Sequence, residues 1–343
     1  MNSQGRRGAW YGATAHLLWG TFPLYFRLLQ RSGAVEIVLH RITWSLVLCT
    51  AVVALTRGWA EVRAALTTPR TALMLGLAAS VLAVNWGVYI YAANSGHVIE
   101  ASLGYYTNPL VTVVLGVVLL RERLRRLQWA AVGIGAAAVT VLTVAYGRPP
   151  WIALALAFSF GIYALMKKKV GGSVGALASL TTETVLLAPF AITTVIFFEL
   201  TGRGHFTANP PWQGVLLVSS GIVTVVPLLA FAAAARRVPL STLGLLQYLT
   251  PTLQLLAGVL LLGEHMPAAR WAGFGLVWIA LVLLTADTLT AARGRRIQAR
   301  APGQVAPGAD PSVIAPASAE APPPTPTAGA RDQPHTISGQ SVR

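Results

Sequence analysis

The residues of this chain with chemistry to do are ionisable side chains embedded in long apolar runs. The run at 34–55 carries Glu36, His40 and Arg41, and the run at 176–198 carries Glu183. Such a group costs about 2.5–3.5 kcal/mol at the centre of a membrane helix, so a partner, a cavity or a function must compensate. Glu36 and His40 are four positions apart and share a helix face. A carboxylate in such surroundings can take up and release a proton, which makes Glu36 and Glu183 candidates for proton coupling. Asn85, Trp86, Tyr89, Tyr91, Glu100, Tyr105, Tyr106 and Asn108, with Gln247, Tyr248 and Gln254 further on, form a polar and aromatic set that suits an amphipathic or aromatic solute. Pro109 and Pro251 stand inside such runs; proline removes a backbone donor, so each is expected to kink its helix and bare polar backbone. His16 and Trp19 are weaker candidates for the same lining.

These residues need a bilayer around them. Of the 343 residues 55% are hydrophobic and 11% charged, and mean hydropathy is +0.61. A soluble domain carries roughly 25% charged residues. So few charges could not cover so much apolar surface in water, and the chain is read as an all-α integral membrane protein. The net charge of +15 follows from basic connectors rather than from nucleic-acid binding. The one cysteine, Cys49, allows no intrachain disulfide and no cysteine-based metal site. Neither a metal nor a cofactor is expected. His-Glu-x-x-His, Gly-x-Ser-x-Gly, a Walker lysine and an Asp pair within a span are all missing, which argues against an enzyme or an ATP-driven pump.

A membrane helix needs about 20 mostly apolar residues. Ten runs qualify: 10–29, 34–55, 71–93, 101–120, 127–146, 150–166, 176–198, 212–235, 240–262 and 271–289. Alternate connectors hold 18 Lys and Arg on one side and 5 on the other, which places both termini in the cytoplasm. Residues 301–343 are rich in Pro, Ala, Ser and Thr and are expected to be a disordered cytoplasmic tail.

One module occurs twice. Pro109, Gly116, Glu122, Trp129 and Gly133 recur as Pro251, Gly258, Glu264, Trp271 and Gly275, each 142 positions on. Five helices separate the copies, so the second half, 150–290, must be inverted relative to the first, 8–146. The arginine-rich connector after Leu120 has an arginine-free counterpart at 263–267, as inversion requires. Glu122 and Glu264 sit at helix ends and are read as structural, capping the following helix or pairing with neighbouring arginines. Gly133, Gly135, Gly273 and Gly275 are expected to permit close helix packing. Inverted halves can exchange conformations around a site at their interface.

The module resembles the EamA domain of the drug/metabolite transporter superfamily. The stretches His40-Arg41-Ile42-Thr43-Trp44-Ser45, EASLGYYTNPLV at 100–111 and VPLSTLGLLQYLTPTL at 238–253 are similar, more narrowly, to the RarD (chloramphenicol-sensitive protein) branch. The resemblance implies two five-helix bundles, a bacterial inner-membrane location and a permease that exports a small molecule. It also implies that the first four helices of each half line the cavity while the fifth and tenth lie outside. A passive channel or a membrane protein without transport activity is the alternative, and a homodimer is compatible with either.

Overall fold

The computed structural model describes residues 3–121, 123–170, 174–207, 210–238 and 240–298, and among them every regular element is helical. The tail at 301–343 and Glu122 lie outside the described residues. Residues up to Gly294 form one compact unit; of the second, Arg295–Arg343, only the end of the last helix is described.

The first half comprises α1 (Ser3–Gly20), α2 (Phe22–Leu28), α3 (Ala34–Thr56), α4 (Trp59–Thr67), α5 (Pro69–Asn94), α6 (Val98–Leu120) and α7 (Arg126–Tyr146). The second comprises α8 (Trp151–Val170), α9 (Ala176–Leu200), α10 (Trp212–Ala235), α11 (Leu240–Leu246), α12 (Leu249–Leu256) with a π-helical turn (Ala257–Leu261), and α13 (Ala268–Gln298). Among the described residues nine helical segments are long and apolar enough to cross a membrane. The pair α1–α2, broken at Thr21 ahead of Pro23, makes the tenth span read from the sequence. The short helix α4 has no counterpart in that reading. Nine residues cannot span, and α4 instead buries Val62 and Ala65 while its polar side stays exposed.

The repeat governs the helix boundaries. Ala34 and Ala176, Val98 and Leu240, and Arg126 and Ala268 each open a helix and stand 142 positions apart. Gly33 and Gly175, the matching N-caps, share φ −61° with ψ 156° and 154°. Packing follows the same rule by exchange between halves. α1 lies on α10 and α12, as α8 lies on α5 and α6, while α3 meets α9 and α10. Each half therefore completes its core on the other. Many large apolar side chains lie exposed, among them Leu55, Val144, Phe190, Leu200 and Leu260, as a lipid-facing surface requires.

Two expectations need correction. Pro109 leaves α6 continuous, whereas the second copy breaks at Gln247–Tyr248. That break puts Pro251 into the first turn of α12, where a helix needs no N–H from it. Gly133 and Gly275 face open space and pack nothing closely; the neighbouring Gly135 meets Leu110, and Gly273 meets Leu142 across the α7–α13 contact. The tightest helix approach is elsewhere. A Cβ on Gly221 of α10 would lie 2.6 Å from the backbone of Trp44 on α3.

Backbone cannot yield as a flexible side chain can. Gly221→Leu is expected to lower the melting temperature of the purified protein, by an overpacking cost of about 1–3 kcal/mol, while Gly275→Leu leaves it unchanged. Differential scanning fluorimetry on both variants checks the contrast.

Candidate functional site

Helix α3 carries the polar centre of the molecule. Its N-terminal half buries Glu36, His40 and Arg41 on two sides of the helix. Arg41 is 3% exposed, and its Nε donates to Thr224 Oγ1 of α10 at 2.6 Å. The Thr224 hydroxyl in turn donates to Ser220 O, which fixes the plane of the guanidinium. Aromatic rings enclose the rest: Trp86 with its centroid 4.2 Å from Cζ, Phe22 at 5.4 Å and Phe26 at 5.5 Å. Tyr89 stacks between Phe26 and Tyr105, with centroids 6.1 and 5.5 Å away. Among the described residues no carboxylate pairs with Arg41, and its Nη groups reach no hydrogen-bond acceptor. The buried Tyr89 hydroxyl lies beside Gln254.

Glu36 and His40 belong to a different cluster, which ties the halves together at the arginine-poor end. The His205 backbone N–H donates to Glu36 Oε1 at 2.6 Å, and His205 Nδ1 lies 2.8 Å from Oε2. His40 stacks on Phe206 and accepts from Trp44 Nε1. Glu199 accepts from the Phe206 and Thr207 N–H groups and the Thr207 hydroxyl. Ligand atoms of Glu36, His40 and Glu199 lie within 4.8 Å of one another, as a metal site would need. Both carboxylates already have hydrogen-bond donors, so the cluster is complete as a latch holding residues 205–207 on α3.

Two more carboxylates work the same end. Glu264 accepts from Val98 and Ile99 N–H at 2.6 and 2.9 Å and so caps α6. Capping was the expected role, but the helix capped belongs to the opposite half rather than following in sequence. Gly258 makes room, since a Cβ there would lie 2.9 Å from Ile99. Glu100 accepts from Ile152 N–H at the start of α8 and pairs with Arg148 at 3.2 Å. A carboxylate at a helix N-terminus meets unpaired donors and the positive end of the dipole.

Glu183 is not the isolated carboxylate its own helix suggests. Lys167 of α8 reaches it at 2.5 Å, Ser179 donates at 3.0 Å and Tyr163 at 3.4 Å; Lys167 also donates to Ser179. The shared register places Glu183 opposite Arg41, and Lys167 opposite Tyr25, rather than pairing Glu183 with Glu36. Between α3, α5 and α9 a cavity of about 10 Å³ is lined by Ile42, Trp86, Glu183 and Thr184 among others, room for about one water.

The remaining sequence candidates divide. Trp86 stands on Arg41, with Tyr105 two rings beyond. Asn85 binds α5 to α8 through Leu156 O and Ser159, and takes a hydrogen bond from Tyr105. Tyr248 packs beside Tyr106, whose hydroxyl meets Thr252. His16 bonds Thr250, and Gln254 bonds Trp19 O, joining α1 to α12. Gln247 is exposed, and neither it nor the Asn108 side chain has a partner among the described residues. Sequence reasoning missed Thr224, Glu199, His205, the Lys167 partnership and Asp287, which lies buried 2.7 Å from Arg125. Asp287 alone carried a signal, as an acid inside the last apolar run.

The EamA-like transporter family model matches residues 6–144 and again 149–286. The chain is 51% identical over 299 residues to Protein RarD of Streptomyces exfoliatus, covering 87% of this chain and 94% of that one. It is 40% identical over 286 residues to Protein RarD of Escherichia coli, with 83% and 96% covered. Against the Uncharacterized transporter YojE of Bacillus subtilis identity is 41% over 289 residues, covering 83% and 95%. The same domain laid down twice, with relatives alike along nearly their whole length, makes this multi-pass membrane chain a member of the EamA-like transporter family, in its RarD branch.

Proposed function

We propose that the chain is a secondary-active permease that exports a small amphipathic molecule across a bacterial inner membrane by alternating access. The observation that carries this reading is the exchange of helices between the halves, which puts α3 and α9 in contact with Arg41 and Glu183 buried at matching registers. A polar seam between two similar units is where a carrier holds its cargo. The latch of Glu36, Glu199 and His205, with the caps made by Glu264 and Glu100, closes one end of that seam. The distribution of Lys and Arg supports placing this end outside, with both termini in the cytoplasm. Proton coupling fits Glu183 best, because its protonation would release Lys167.

Three experiments test the reading. In proteoliposomes, flux of a transported solute saturates and shows counterflow; linear flux without counterflow belongs to the channel alternative. Glu183→Gln abolishes transport driven by a pH gradient yet keeps counterflow, and normal gradient-driven rates in that variant refute the coupling role. Arg123→Cys and His265→Cys, both at exposed sites in a chain whose own Cys49 is buried, react with an impermeant maleimide from opposite sides of sealed vesicles. Reaction from the same side overturns the inverted arrangement.

A further inference from the structure

The strongest unmet demand in the molecule is at Arg41. Arginine carries five N–H donors in a planar fork, and only Nε is engaged by the described residues. The side chain is almost wholly buried. Cation–π contact with Trp86 offsets part of the charge but leaves the in-plane N–H groups of the fork unused. The Tyr89 hydroxyl, 2% exposed and beside Gln254, adds a donor within the same group of side chains. Every buried acid described above is spoken for: Glu36 by His205, Glu100 by Arg148, Glu183 by Lys167 and Asp287 by Arg125.

We infer that Arg41, with Tyr89 and the ring walls of Phe22, Phe26 and Trp86, is the recognition site for a small organic carboxylate that carries an aromatic or aliphatic body. A carboxylate matches the fork with two parallel hydrogen bonds and cancels the single charge. The rings accept the flat apolar remainder, while the guanidinium beside them repels a cationic head. Thr224 holds the fork from behind and leaves its open edge toward the ligand. Binding closes the one open account of charge in the bundle. This assignment names the substrate class for the seam proposed above and rests on that reading.

The test uses the full chain in lipid nanodiscs and two probes of equal size, 3-phenylpropionate and 3-phenylpropionamide, titrated calorimetrically. The carboxylate binds saturably and the neutral amide about tenfold or more weakly, since only the anion answers the unpaired charge. Arg41→Gln removes that preference. Tyr89→Phe changes no volume at the ring and reduces carboxylate affinity about three- to tenfold while leaving the amide unaffected, so the assignment stays testable if Arg41→Gln does not fold. Equal binding of both probes, or unchanged preference in Tyr89→Phe and Arg41→Gln, overturns it. Equilibrium binding needs no flux. Carboxylate binding without counterflow would sink the carrier and leave the anion site, whereas counterflow of neutral solutes without carboxylate preference would sink the site and leave the carrier.

Discussion

A charge placed in a helical bundle within hydrocarbon has no water to fall back on, and this constraint orders the whole structure. Acids are few, and the buried ones are all committed. Glu36, Glu100, Glu199 and Glu264 accept from backbone N–H groups that the ends of helices and loops leave without partners. Glu183 and Asp287 take a lysine and an arginine. Among the described buried ions, only Arg41 is left to rings and a single hydroxyl. An uncompensated buried ion costs several kcal/mol even after relaxation, so its persistence asks for a reason outside the resting fold.

The acids also decide how the halves hold each other. Glu264 caps α6 and Glu36 holds the loop before α10, each across the boundary between halves. Charge-assisted hydrogen bonds of this sort are directional and short in reach. A few specific bonds of this kind hold that end together beside the apolar packing of the exchanged helices.

Much of the fold could be read from the chain. The 142-residue displacement seen at Pro109 and Pro251 extends to three pairs of helix starts, and even to the backbone angles of Gly33 and Gly175. The site was less legible, for a physical reason. A helix face shows neighbours three and four positions away, but exchange between halves brings partners from more than a hundred residues off, as Thr224 comes to Arg41 and His205 to Glu36. Lys167 was visible only as part of a basic connector, although its first ammonium turns back along α8 to reach Glu183. Gly133 and Gly275 recur without packing anything, so strict recurrence alone did not separate contact from surface.

The register that aligns the halves sets Tyr25 and Arg41 opposite Lys167 and Glu183. Arg41 and Glu183 each stand about 10 Å along their own helices. One half therefore carries a cation walled by rings where the other carries an ion pair. Duplication supplied two matching units, but divergence at these positions has made the two faces of the molecule unequal.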